Sequence, residues 1–484
     1  MGLADLIVTG GVVISMDGSR RIIDDGAVAI VEDRIVDVGP SEEIGNRHSA
    51  RRVIDARRKA IMPGLIDGHA HAGHGLIKTM GGGRSDLWYD ACEQAYTVGS
   101  SEAFWHAEAQ LAAVERLRFG VTTGVSLLGG GDSIMRTDDP AYAAAHCEGV
   151  GEVGTRSIVA IGPTRPPHPR TYARWDGDRR SDTKVDFDRQ MRTCRDVIAR
   201  WHGALGNRIR IAMLTPTLRD EHIDGLDPVM LEEARRQTLA ARALSRETGT
   251  LFTQDGHTRN SVAYAHAMGL LGPDALLSHA TNLTEREIAI CAETDTRIAH
   301  NPSAVASILG RCPATELLDA GVTVCLGSDA TAPDRSADMF RHIQQCMHYH
   351  RTHFRDPAVL PPGRVLEMTT IDGARALGLE AEIGSLEPGK KADIILVDLA
   401  RPHMAPMNMP AFRVTCFANG NDVDTVIVDG RVLMEDRRVL SVAEDAVIAA
   451  AQRECERMLE RTGLSHLLAM PEDFFGHTRA SGVH

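Results

Sequence analysis

His69 and His71 stand two residues apart, directly after the strand-like run Ala60–Ile66. Side chains two apart on a strand point to the same side, so one strand end can offer both imidazoles to one metal ion. A divalent ion held by such donors lowers the pKa of water toward neutrality. A carboxylate beside it accepts the proton as the water attacks. The chemistry to expect is metal-assisted hydrolysis. No GxSxG element supports a serine triad, and Cys312 and Cys325 have no nucleophile context, Cys325 reading as core in VTVCLG.

These residues need a scaffold that brings many strand ends together. Leu6–Val8, Gly11–Ser15, Ala27–Val31 and Arg34–Val38 read as short strands between Gly and Asp turns, and the texture returns in KKADIILVDL and DTVIVDGRVLMEDRRVL. Two distant β-rich ends predict one small β-sandwich built from both. Between them strands alternate with helices: VTTGVSLL, TRSIVAIGPT, NRIRIAMLTP, TLFTQDG, ALLSHAT, TRIAHNP and VTVCLGSDA are separated by stretches such as LEEARRQTLAARALSRETG. Repeated βα units of this number predict a (β/α)8 TIM-type barrel, whose C-terminal strand ends form the active-site face. An open doubly wound sheet is the alternative, without a GxGxxG after its first strand to support it. Residues 1–59 are expected to open the sandwich, 60–380 to form the barrel, 381–440 to complete the sandwich, and 441–484 to form a C-terminal helix and tail.

PGLIDGHAHAGH resembles the first metal motif of the amidohydrolase superfamily. VERLRFGVTTGVSL, LLGPDALLSHATNLTEREI, VTVCLGSDATAPDRSADMF and LEMTTIDGARALGLEAEIGSLEPGKKADIILVDL are similar to the second, sixth and eighth strand regions and the return to the sandwich. The subgroup resembled is that of chlorotriazine hydrolases and purine, pterin or cytosine-type deaminases. The resemblance implies that His69 and His71 bind metal. It further implies that His279 binds the metal or holds its water, and that Asp329 is both ligand and proton acceptor. The fourth strand, RIRIAMLTPT, has no lysine to bridge two ions, so one divalent metal per chain is expected. Zinc comes first, and other first-row ions are open. The resemblance also implies a homodimer or larger homo-oligomer.

The fifth strand departs from the pattern. The family ends it with a metal-binding histidine and places a proton-shuttling glutamate three residues later. Here TLFTQDGHTRN puts Gln254 at the histidine and His257 at the glutamate. Either His257 replaces the missing ligand while Gln254 contacts substrate, or His257 replaces the glutamate as general acid/base. A neutral amide is a poor zinc ligand. His300, in AHNPS, and Trp88, after strand one, are expected to line the substrate pocket, with ordinary packing the alternative for Trp88. His74 could line the mouth, whereas His342, His348, His350 and His353 read as a polar helix face.

Composition bounds the rest. A 43% apolar, 25% charged chain of 484 residues has ample material for a core, and its net charge of −13 argues against a nucleic-acid surface. Arg179 and Arg180, beside Asp178 and Asp182, read as a loop. Nine scattered cysteines fit free thiols in a reducing compartment. Neither a signal peptide nor a membrane span is legible, so a cytoplasmic enzyme is expected. The function expected is hydrolysis of a C–N bond (amide, urea or carbamate) in a small aromatic or heteroaromatic substrate. Deamination of an aminopurine, pterin or triazine is the alternative. A third reading, a catalytically inactive binding or assembly protein, rests on the altered fifth strand.

Overall fold

The computed structural model describes residues 2–131, 134–304, 306–329 and 335–479. Strands buried on both faces need near-continuous apolar sequence, and the middle of the chain supplies it. Leu65–Asp67, Val121–Leu128, Arg156–Ile161, Ile209–Pro216, Leu251–Asp255, Ala275–Ser278, Arg297–His300 and Val324–Leu326 pair in that order, each parallel to the next. The ends meet: Gly68 N–H donates to Leu326 O at 2.8 Å, and Asp329 N–H to His69 O at 2.9 Å. This is the expected barrel, and its closing bonds join the two strand ends that carry His69 and Asp329.

Helices cover the barrel from outside. Pro228–Thr248 starts on Asp227, whose carboxylate caps Val229 and Met230, and stops at Gly249 with φ 64°. Thr284 and Glu287 form a reciprocal capping box at the start of Glu285–Glu293. The helix Glu444–Thr462 packs on Glu102–Arg118.

The two β-rich ends join in one small domain, as expected, and they do so through a single nine-stranded sheet. Lys59–Pro63 joins them, parallel to Gly2–Ile14 on one side and antiparallel to Ile394–Asp398 on the other. The run Ala60–Ile66, read as a single strand, divides at Gly64: the residues before it belong to this sheet, and only Leu65–Asp67 enters the barrel. A Cβ at Gly64 would lie 2.1 Å from Thr122 Oγ1, so the chain crosses between the sheets where only glycine fits. Alternation then divides the packing. Ile394 and Leu396 enter the core of the small sheet, while Ile395 and Val397 enter that of the barrel.

A buried ion cluster also ties the two sheets. Arg156, opening the third barrel strand, reaches Asp393 Oδ1 at 3.0 Å and Asp429 Oδ1 at 2.6 Å. Arg156→Met leaves buried Asp393 without its cation and leaves Asp429 to Arg208 at 3.5 Å and Lys391 at 3.8 Å. It is expected to cost about 3–5 kcal/mol, readable by denaturant unfolding. A loss below about 1 kcal/mol would show that the cluster does not couple the sheets.

Two local expectations are corrected. Arg179 and Arg180 lie not in a loop but on a hairpin, Arg170–Asp176 with Arg179–Val185, turning at Gly177 with φ 59°. Of the four histidines on the helix Met339–Phe354, His348 and His353 are exposed. His342 and His350 are buried, so these histidines divide between two faces. Among the described residues no helix is long and apolar enough to cross a membrane.

Candidate active site

Five side chains meet at the C-terminal ends of the barrel strands. Asp329 Oδ1 lies 3.3 Å from His69 Nε2, 3.4 Å from His71 Nε2 and 3.4 Å from His279 Nε2. Asp255 faces the same three rings, with Oδ1 3.2 Å from His69 Nε2 and 3.0 Å from His279 Nε2, and Oδ2 3.6 Å from His71 Nε2. All five are buried or nearly so.

The first strand ends at Asp67, whose carboxylate accepts from Ser328 N–H and Ser328 Oγ–H at 2.8 Å each, and from Arg116 at 3.2 Å. That fixes the eighth-strand loop against the first, so His69 and Asp329 stay together. His279 and Asp329 both hold left-handed backbone, φ 68° and 58°, which non-glycine residues adopt at a cost and which functional sites often retain. His71 Nδ1–H donates to Gly129 O at 3.0 Å, leaving its Nε2 as a lone pair. The Asn301 amide lies 3.4 Å from His279 Nδ1. With its otherwise unpartnered Oδ1 turned to accept from Nδ1–H, His279 Nε2 becomes a lone pair as well. Such outer partners fix the tautomer of metal-binding histidines.

The electrostatics are those of a cation site. Burial disfavours charge on His69, but Asp255 and Asp329 outweigh it and raise its pKa from 6.5 to about 10. Burial likewise works against charge on His279, and the same carboxylates raise it. Asp255 and Asp329 are held well below the carboxylate range, because the imidazolium charges outweigh burial. Three imidazole nitrogens and two carboxylates around one point, with His69 Nε2 buried and without a hydrogen-bond partner, fit a divalent transition ion. Loading must displace the His69 proton. Metal affinity is therefore expected to rise about tenfold per pH unit between about pH 6 and 9, measured by competition with a chromophoric chelator. A flat profile would contradict this charge pattern.

The structure brings together four of the residues singled out in the sequence, His69, His71, His279 and Asp329, and adds Asp255. Strand alternation explains the register. Gln254 points the other way, its Nε2 donating to Thr215 Oγ1 at 3.1 Å and Pro216 O at 3.2 Å. Asp255, the last residue of the strand, stands where the family histidine was expected. A usable signal was present, since a carboxylate is a far better ligand than an amide. Asp255 Oδ1 also accepts from Ser278 Oγ–H at 2.6 Å. A Cβ on Gly131 would lie 2.1 Å from Asp255 Oδ2, so the loop passes over the carboxylate on a glycine. Arg335, also missed, places Nε 3.9 Å from Asp329 Oδ2.

His257 is buried beside this group. Burial and the Arg219 charge push its pKa down to about 3. Ser261 Oγ–H donates to Thr258 O at 2.6 Å, so the 2.9 Å contact between His257 and Ser261 runs from His257 Nδ1–H to Ser261 Oγ. His257 Nε2 is then a buried lone pair without a partner. His74 stacks on His71 with ring centres 4.7 Å apart, and Trp88 meets His74 edge-on at 5.1 Å, so Trp88 walls the site one ring away. His300 stands apart from the five, with Nε2 3.2 Å from His350 Nε2.

Comparison with known proteins shows the family and the fold. Residues 60–433 match the model of the amidohydrolase family. A 5'-deoxyadenosine deaminase of Methanosarcina mazei is 30% identical over 467 residues, covering 95% of this chain and 99% of the relative. A 5-methylthioadenosine/S-adenosylhomocysteine deaminase of Syntrophobacter fumaroxidans is 29% identical, covering 92% and 96%. Among solved structures, a zinc-bound adenosine deaminase from Xanthomonas campestris superposes with a TM-score of 0.80 at 22% identity, covering 95% of this chain and 99% of its own. The zinc complex of atrazine chlorohydrolase from Arthrobacter aurescens TC1 gives 0.76 at 21%, covering 93% and 100%. The chain belongs to the amidohydrolase family and is a hydrolase of carbon–nitrogen bonds.

Proposed function

We propose that this chain is a metal-dependent deaminase of a 6-aminopurine nucleoside or a closely similar heteroaromatic amine. The observation that carries the reading is the meeting of His69, His71, Asp255, His279 and Asp329 around one point at the barrel mouth. Relatives named as 5'-deoxyadenosine and 5-methylthioadenosine deaminases, alike over nearly their whole length, support the substrate class.

The five residues would hold one divalent ion, zinc first. The second carboxylate also suits manganese or iron. When bound, the ion supplies Lewis acidity that brings the pKa of water toward neutrality. The chain's own groups do the rest. Water adds through oxygen to the carbon bearing the amine, and Asp329 accepts the proton lost. Arg335 beside Asp329 Oδ2 keeps that carboxylate ionised until then. For His257 we favour the proton-transfer role: its Nε2 lone pair takes from Asp329 the one proton that water lost and passes it to the departing nitrogen, which leaves Asp329 ionised again. Burial makes the protonated ring a strong donor. The carbon–nitrogen bond breaks, and the products are ammonia and the keto-purine.

One observation favours a second reading. With Asp255 as the strand-end donor, the residue three further on is Thr258, so no carboxylate stands at the family's proton-delivery position. An aryl urea, carbamate or anilide releases a weaker base than ammonia and needs less help. Turnover of 5'-deoxyadenosine and 5'-methylthioadenosine is measured beside an aryl urea and an aryl carbamate. Ammonia release from the nucleosides is the expected result. Aromatic amine release from the ureas, with silent nucleosides, would replace the deaminase reading by the second.

A further inference from the structure

His300 closes the seventh barrel strand, and Cys346 and His350 lie four residues apart on the helix Met339–Phe354. Residues at that spacing share a helix face, and this face packs onto the strand end. All three side chains are fully buried, and their donor atoms lie within 4.8 Å of one another. We propose that His300, Cys346 and His350 form a second metal site, structural in character, for a thiophilic divalent ion such as zinc.

The spacing is the first argument. His300 Nε2 and His350 Nε2 are 3.2 Å apart. Two nitrogens about 2.0–2.1 Å from one tetrahedral ion stand about 3.3 Å from each other. Donor chemistry is the second. One thiol and two imidazoles form a set that soft and borderline ions select over magnesium or calcium, and the five-residue centre contains no sulfur. Protonation is the third. Burial and neighbouring cations hold both rings neutral near pH 7, His350 at about 4 and His300 well below its ordinary value, so each can offer a lone pair. Both Nδ1 atoms are buried with no partner among the described residues, so no outer bond pins either ring in a competing tautomer.

The surroundings are compatible. Arg311, the cation bearing on both rings, is paired with Glu316 at 2.9 Å. Loading would release the Cys346 proton, because the thiolate is the ligand. The site would pin the helix to the seventh strand beside Asn301, the partner of His279, and it stands whether or not the substrate reading does.

Cobalt substitution tests it. Protein produced in cobalt-supplemented medium should show the intense near-ultraviolet thiolate-to-cobalt charge-transfer band, which the sulfur-free catalytic donors cannot produce. Elemental analysis should give two ions per chain. Cys346→Ser should lose the band and one ion. Asp329→Asn should keep the band, whatever happens to activity. No band in the wild-type protein, or a band that survives Cys346→Ser, would overturn the proposal. The wild-type spectrum decides the matter even if the variant folds poorly.

Discussion

Asp329→Asn is expected to lower kcat/KM by about 10³-fold or more while the protein stays folded. The amide fills the same volume, so the left-handed backbone at this position and its bond to His69 O are kept. What disappears is the negative charge facing His69, His71 and His279, and with it the acceptor for the proton that water loses. The loss should lie mainly in kcat, since this group acts on the nucleophile and not on substrate binding. Steady-state kinetics with metal content measured on the same sample would check it. A loss under about tenfold in a metal-loaded variant would remove Asp329 from the proton-accepting role.

Asp255→Asn should have an effect of similar size by another route. Asp255 faces all three imidazoles, and a neutral amide in its place removes one of the two anionic ligands that draw the cation in. Metal affinity should fall more than about 100-fold, and activity at limiting metal should fall with it. Gln254→Ala is the control. Its amide bridges Thr215 and Pro216, so that variant should keep its metal. If Gln254→Ala lost metal and Asp255→Asn did not, the fifth-strand register would be wrong.

That register marks the boundary of what the sequence disclosed. His69 and His71 were legible from their spacing after a strand-like run, and His279 and Asp329 from the resemblance of SHATNLT and GSDA to the family's sixth and eighth strand motifs. The joining of the two chain ends into one small domain was legible from their matching texture. Family spacing puts the fifth-strand donor at Gln254, one residue off, because strand alternation and not spacing decides which side chain faces the barrel mouth. One residue of slip turns a side chain to the opposite face. The histidines of Met339–Phe354 show a different limit. Periodicity cannot say which of four like residues meets a partner contributed by a strand about fifty residues away, and the contact of His350 with His300 appears only once helix and strand are packed.

In the proposed mechanism, catalysis depends on an ion held by His69, His71, Asp255, His279 and Asp329. The most direct test is ammonia release from 5'-deoxyadenosine by chelator-treated protein, before and after zinc is restored. Silence after chelation and full recovery on zinc addition are expected, with Asp255→Asn recovering only at far higher zinc. Turnover that persists unchanged in fully stripped protein would refute the dependence on metal.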